Sequence, residues 1–231
     1  MTHNNLPQEL HEPFKKRGFK SIRTAVNTSL THIKTGMLGQ RNVFPTNWKR
    51  LNKNLLGGLQ PGKMYVVAGR PGVGKSAFSN QLIFDVLDKN KNKNVLVLYW
   101  SFEMPGYQQI LRAGSKGANK QVLELLSVER KLSDEAFKAY RDEVIKYNNY
   151  PVFFNNVPRS MEFIKDTNVE ICNSKPEATV INVFDHSRLV LGNAETELQR
   201  LNTVSKGCMW MQSRMGTINI LLSQLNRNIE S

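Results

Sequence analysis

Residues 69–76 read GRPGVGKS, followed by Ala77. This order of types suits one kind of chemistry, the holding of a phosphate chain. It fits G-x-x-x-x-G-K-[ST], in which glycines let successive backbone N–H groups curl around phosphate oxygens. Gly69, Gly72 and Gly74 are the candidates for that curl, with Arg70, Pro71 and Val73 between them. Lys75 then reaches the β- and γ-phosphates, and the Ser76 hydroxyl completes a magnesium shell. A helix starting near Lys75 adds the positive end of its dipole. The four fixed positions match by chance in roughly one chain in a hundred of this length, and the required strand before and helix after lower that further.

A metal held at such a loop needs a carboxylate from a neighbouring strand. Asp185 follows the run Thr179 to Phe184 and is placed to hold magnesium through water. Asn182 interrupts that run, an oddity in a central strand. Hydrolysis also needs a base to orient water; Glu103, three residues beyond Trp100 and just before Pro105, is the candidate. Gln224, after the apolar run Ile220 to Leu222, carries an amide that can sense a γ-phosphate or touch DNA. His186, next to Asp185, is assigned no role and is expected to be packed.

These residues need strand ends to gather them. Alternating patterns predict strands at Met64–Ala68, Val95–Trp100, Val152–Phe154, Thr179–Phe184 and Ile218–Leu222, the last followed by a polar run from Ser223. Between them, helices are predicted at Lys75–Leu87, Ser160–Cys172 and Ala194–Met215, with two or three more across Pro105–Tyr147, broken near Gly114 and Gly117. Apolar strands separated by helices imply an α/β fold with a mostly parallel sheet covered on both faces. Upstream, Ile22, Val26, Leu30, Ile33 and Met37 recur at helical spacing and predict one amphipathic helix, ended by Gly36 and Gly39. The organisation expected is a flexible basic arm (1–20), an amphipathic helical segment (21–42) and an α/β domain carrying the phosphate loop (43–231), which the resemblance described below would make a linker helix and an ATPase domain.

The 231 residues are 40% hydrophobic, enough for one good-sized core, and carry a net charge of +13. Residues 1–53 hold ten Lys or Arg against Glu9 and Glu12, a surplus that attracts a polyanion such as nucleic acid. The longest apolar runs are far too short to cross a bilayer, and the first residues have no apolar signal region; a soluble, cytoplasmic protein is expected. Cys172 and Cys208 lack metal-ligand spacing and read as two buried free thiols.

Taken together, GGLQPGKMYVVAGRPGVGKSAF, YWSFEMP, VINVFDHSRLVLG and NILLSQLNRNIES resemble the ATPase domain of DnaB-type replicative helicases, in that family's order and spacing from about Val43 onward. The resemblance implies a RecA-like phosphate-loop NTPase core and a hexameric motor on single-stranded DNA. It implies that Lys75 and Ser76 bind ATP and magnesium, that Glu103 is the catalytic base, that Asp185 is the Walker B aspartate and that Gln224 couples nucleotide to DNA. Arg227 lies in the same motif. It further implies that the helix at 22–39 packs on an adjacent ring subunit, and that primase or a helicase loader is a partner in the cytoplasm of a bacterium or a phage-infected host.

Three departures accompany it. The family's aromatic, Leu and Gln after the Walker B aspartate are replaced by His186, Ser187 and Arg188. Only about 45 residues precede the motor where the family has a helical domain. The family continues past SQLNR with a DNA-binding loop and an arginine finger, so the ATPase domain is expected to be incomplete and the chain alone to bind ATP but hydrolyse it poorly. Two other functions share the core: a RecA-like DNA-dependent ATPase without unwinding, and an inactive fragment that regulates an intact ring.

Overall fold

The computed structural model describes residue 14 and residues 16–186, 189–192 and 196–225. The expectations for most of the arm, for Ser187 and Arg188, and for Arg227 lie outside them. The chain divides into two compact units, Met1–Asn42 and Val43–Ser231.

The first unit contains α1 (Ile22–Met37), capped by the Ser21 hydroxyl, which accepts from the Thr24 backbone N–H. None of its residues is buried, and Ile22, Val26, Leu30, Ile33 and Met37 are all exposed. Gly36 lies inside the helix rather than ending it.

In the second unit the elements run α2 (Lys49–Asn54), β1 (Met64–Gly69), α3 (Lys75–Lys89), β2 (Val95–Ser101), α4 (Gly106–Ser115), α5 (Val122–Leu125) and α6 (Asp134–Val144). A short 3-10 turn at Ile145–Tyr147 leads to β3 (Val152–Asn155), α7 (Met161–Ser174), β4 (Thr179–Asp185), α8 (Glu197–Met215) and β5 (Ile218–Gln224). The five strands form one sheet in the order β1-β5-β4-β2-β3, and every pairing is parallel. A parallel sheet puts all its strand ends on one edge, so β1, β2, β4 and β5 deliver their last residues to a common crevice.

Successive residues of a strand face opposite sides, and the core splits accordingly. Val97 and Tyr99 of β2 join Ile181, Val183, Ile220 and Leu222 beneath α3, with Phe44 and Leu59 closing that layer. Leu98 and Trp100 join Val180, Phe184 and Leu221 against Met161 and Ile164 of α7 and Val204, Cys208 and Met211 of α8. Cys172 and Cys208 are both free, but only Cys208 is buried as expected, Cys172 being half-buried; burial pushes the Cys208 thiol up to about 12.

Asn182 is fully buried and fully used. Its Oδ1 accepts from Trp100 Nε1 (3.0 Å) and Asn168 Nδ2 (3.1 Å), while its Nδ2 donates to Asn168 Oδ1 (2.8 Å) and Asn219 Oδ1 (3.1 Å). Asn219 is its register partner on β5 and donates on to the Cys208 carbonyl (3.1 Å). A buried amide is tolerated where its donors and acceptors are matched, and here it ties β4 to β2, β5 and α7.

The helical run from Pro105 breaks after Ser115, near Gly114 and Gly117 as expected; Gly114 itself lies in the last turn of α4, where a Cβ would stand 2.4 Å from Val144 Cγ1 and 2.5 Å from Tyr140 Cε2 of α6. It is a packing notch between helices. The polar residues Ser223 and Gln224 are not a tail beyond β5 but its last two residues, paired with Ala68 and Gly69. α2, lacking an apolar period, was not expected at all.

Candidate nucleotide site

Between β1 and α3 the chain turns through Gly72 (φ +77°) and Gly74 (φ +92°), backbone angles that L side chains rarely adopt. Gly74 is also the N-cap of the 15-residue α3, so no capping side chain from that position occupies the first-turn N–H groups. That is the arrangement an anion requires. Gly69 differs from the sequence expectation. It is not in the left-handed region, and what excludes a side chain is space: a Cβ would lie 2.9 Å from Val73 Cγ2.

Lys75 is buried, and its Nζ donates to the carbonyls of Gly69 (3.0 Å) and Arg70 (2.9 Å), spanning the mouth of the loop. Ser76, in the first turn of α3, donates its hydroxyl to Asp185 Oδ1 at 3.1 Å across 109 residues of sequence. Asp185 is 1% exposed at the end of β4. A hydroxyl and a buried carboxylate held together form the oxygen donor pair that magnesium takes when phosphate and water complete its shell. Among the described residues no group of three or more His, Cys, Asp or Glu could hold a metal, so the donor set fits a cation shared with phosphate rather than a closed protein cage.

The register of the sheet brings in the remaining candidates. Ser101 at the end of β2 pairs with Asp185, and the Phe102 N–H donates to the Asp185 carbonyl (3.0 Å). Glu103 therefore lies on the turn immediately beyond the metal candidate. Gln224 pairs with Gly69, the first loop residue, and the next N–H, that of Leu225, donates to the Gly69 carbonyl (3.2 Å). Lys75, Ser76, Glu103, Asp185 and Gln224 thus come from four strand ends to one rim.

Three participants escaped the sequence reading. His186, 13% exposed, brings Nε2 against Glu103 Oε2 and lies 3.8 Å from Asp185 Oδ1, bridging the two acids. Gln109 of α4 is wholly buried and donates to Asp185 Oδ2 (3.2 Å). Tyr99 shares a hydrogen bond with Ser79 (2.6 Å); burial first, and the Asp185 charge second, hold its phenol far above the usual range, so it stays a neutral hydroxyl. Their residue types carry no motif, and the only available signal was polarity inside otherwise apolar segments.

A parallel sheet with a glycine loop at its first strand end and an aspartate two strands away defines the RecA-like phosphate-loop class. The family described as DnaB-like helicase C-terminal domain matches residues 44–231, and the chain belongs to it. Among curated relatives, the replicative DNA helicase DnaB of Geobacillus stearothermophilus is 24% identical over 213 residues, covering 90% of this chain and 44% of that protein. The DnaB of Rickettsia typhi is 23% identical over 229 residues, covering 95% and 46%. The chain therefore spans a little under half the length of these relatives. Two solved structures share the fold at 20% identity: one is an isolated ATPase domain (TM-score 0.76, 92% of this chain and 74% of that one), and the other a DnaB-like replicative helicase studied with primase (TM-score 0.75, 92% and 50%).

Proposed function

We propose that this chain forms the nucleotide-binding part of a DnaB-type replicative helicase motor, binding ATP with magnesium and coupling hydrolysis to movement on single-stranded DNA. The observation that carries the reading is the Ser76–Asp185 hydrogen bond of 3.1 Å beneath a loop bent at Gly72 and Gly74. In this reading the loop N–H groups and the first turn of α3 bind the phosphates, and Lys75 moves from the Gly69 and Arg70 carbonyls to the β- and γ-phosphates. Ser76 and Asp185 hold magnesium, which supplies neutralisation of phosphate charge. Glu103 accepts a proton from the attacking water, and Gln224 senses the γ-phosphate and passes its state toward DNA.

The amphipathic α1 serves as a linker helix whose exposed apolar stripe docks on an adjacent ring subunit, and the basic residues of 1–53 favour DNA. Hexamer formation, primase or loader contact and a cytoplasmic location belong to the same proposal, by likeness to the family. The test is binding of a fluorescent ATP analogue to the chain and to Lys75→Ala. Micromolar binding lost in the variant is expected, and equal binding by both would overturn the reading. A forked-duplex strand-displacement assay, alone and mixed with an intact homologue, separates a motor from a DNA-dependent ATPase without unwinding and from an inhibitor of the ring.

A further inference from the structure

The amide of Gln109 sits in the deepest part of the site and is satisfied on every side. Its Nε2 donates to Asp185 Oδ2 (3.2 Å) and to Ser101 Oγ (3.1 Å), and its Oε1 accepts from Asn80 Nδ2 of α3 (2.5 Å). Both Gln109 and Asn80 are at most 5% exposed. The Asp185 carboxylate, which only accepts, fixes which way the Gln109 amide points: Nε2 must face Asp185 and Ser101, which turns Oε1 to the Asn80 donor. Ser101 in turn donates its hydroxyl to the Met104 carbonyl, closing the turn that bears Glu103.

We infer that Gln109 is a positioning residue for the metal: it occupies Asp185 Oδ2, so that Oδ1, the oxygen shared with Ser76, is the one presented to magnesium. A carboxylate with both oxygens free can rotate about its Cβ–Cγ bond and compete as a bidentate ligand. With Oδ2 tied to a buried amide it offers one oxygen, Oδ1, on the Ser76 side. Partners behind a metal ligand commonly change metal affinity by about 10- to 100-fold when removed. The same amide touches Ser101, and through Ser101 and Met104 it links the carboxylate that holds the metal to the turn that carries the base.

This inference rests on the reading of the site as an ATP and magnesium centre. The experiment measures affinity for a fluorescent ADP analogue in EDTA and across a magnesium titration, for the full chain, Gln109→Leu and Asn80→Leu/Gln109→Leu. The double variant replaces both buried amides with apolar groups, which avoids stranding Asn80 and preserves folding. Both variants are expected to keep metal-free affinity within about twofold and to need about tenfold more magnesium for the same gain. Urea unfolding is expected to recover in the double variant without recovery of the magnesium response, an outcome a purely structural role does not produce. An unchanged magnesium midpoint in a folded variant overturns the positioning role while leaving the site reading intact. Metal-free and metal-dependent binding falling together also overturns it. Absence of any binding by the unaltered chain overturns the site reading itself, and this inference with it.

Discussion

Replacing Asn182 by Val tests whether the polar ladder inside the sheet stabilises the fold or is merely tolerated. The new side chain is close in size and suited to a strand, so the change removes hydrogen bonds rather than volume. Two buried groups then lose their partner: Trp100 Nε1 and Asn168 Oδ1. Asn219 Oδ1 keeps a weaker contact to Thr217 Oγ1 at 3.4 Å. At about 1–3 kcal/mol for each stranded group, the loss is about 2–6 kcal/mol, against a total of about 5–15 kcal/mol for a domain. With a urea slope of about 2 kcal/mol/M, the midpoint measured by tryptophan fluorescence and circular dichroism falls by about 1–3 M. Trp100→Phe supplies the control, because in the Asn182→Val background it removes the stranded indole N–H. Its cost there is expected to be smaller than in the unaltered chain by at least about 1 kcal/mol. A midpoint shift below about 0.3 M, or strictly additive costs, would refute the claim that this ladder holds β4 against its neighbours.

Other outcomes follow from the same geometry. Asp185→Asn and Ser76→Ala are each expected to abolish most of the magnesium-dependent gain in nucleotide affinity while leaving metal-free binding measurable, read by the same fluorescent analogue; unchanged magnesium dependence argues against the donor pair. Gly58→Ala meets both a φ of +144° and a Cβ 2.3 Å from the Phe44 carbonyl oxygen, so thermal unfolding is expected to show a loss of about 2 kcal/mol or more. With the Cys208 thiol raised to about 12 by burial, essentially no thiolate exists at pH 8, and a disulfide reagent is expected to label Cys208 only at the rate of unfolding; labelling within seconds in native buffer would contradict the core assignment. The Lys146 hydrogen bond, above all, lowers the Glu143 carboxyl in the folded chain. That contribution is complete above the unfolded carboxylate range near pH 4.3 and is lost as pH falls through the lower folded value. Glu143→Gln should therefore flatten the acid limb of the stability curve and, because Glu143 also raises Lys146 and Tyr147 in the folded chain, reduce the loss of stability at alkaline pH as well.

All five strands were legible because each is a nearly continuous apolar run, whether buried on both faces like β2 and β4 or at an edge like β1 and β3, where Val66 and Phe153 are exposed, and that pattern survives without any knowledge of pairing. Their ends were not legible, and for one reason. Periodicity stops at the last apolar side chain, whereas the ladder is made by backbone groups that take no notice of side chains. Ser101, Asn155, Asp185, Ser223 and Gln224 all extend strands predicted to stop before them. These are also the polar residues that a site at strand ends must use, so reading polarity as a boundary hides their position in the sheet. Gly114 carries a second meaning that spacing alone does not show: the helix ends one residue later, as a glycine suggests, but the close helix crossing also needs the missing Cβ.

Within the site, what the sequence revealed is what local spacing encodes. Lys75 and Ser76 are consecutive, and their chemistry is fixed by a turn of a few residues. Asp185 and Gln224 were reachable because each follows an apolar run, which assigns it to a strand end without reference to any partner. Gln109 and Asn80 were not reachable, because their meaning exists only as a pair brought together across 29 residues, and the Gln109 bond to Asp185 spans 76. On a helix, one glutamine facing inward looks like any surface glutamine until the opposite wall is known. Asn182 shows the intermediate case: its position inside an apolar strand marked it as anomalous, but only register with Asn219 and contact with Asn168 turned the anomaly into a satisfied network. A buried amide is costly without partners, so each such residue in an apolar segment is a sequence-level pointer to a long-range contact, even where the contact itself cannot be named. Here those contacts hold β4 in register and fix the carboxylate at its end, so the polar residues least explicable from the sequence are the ones that position its most recognisable motif.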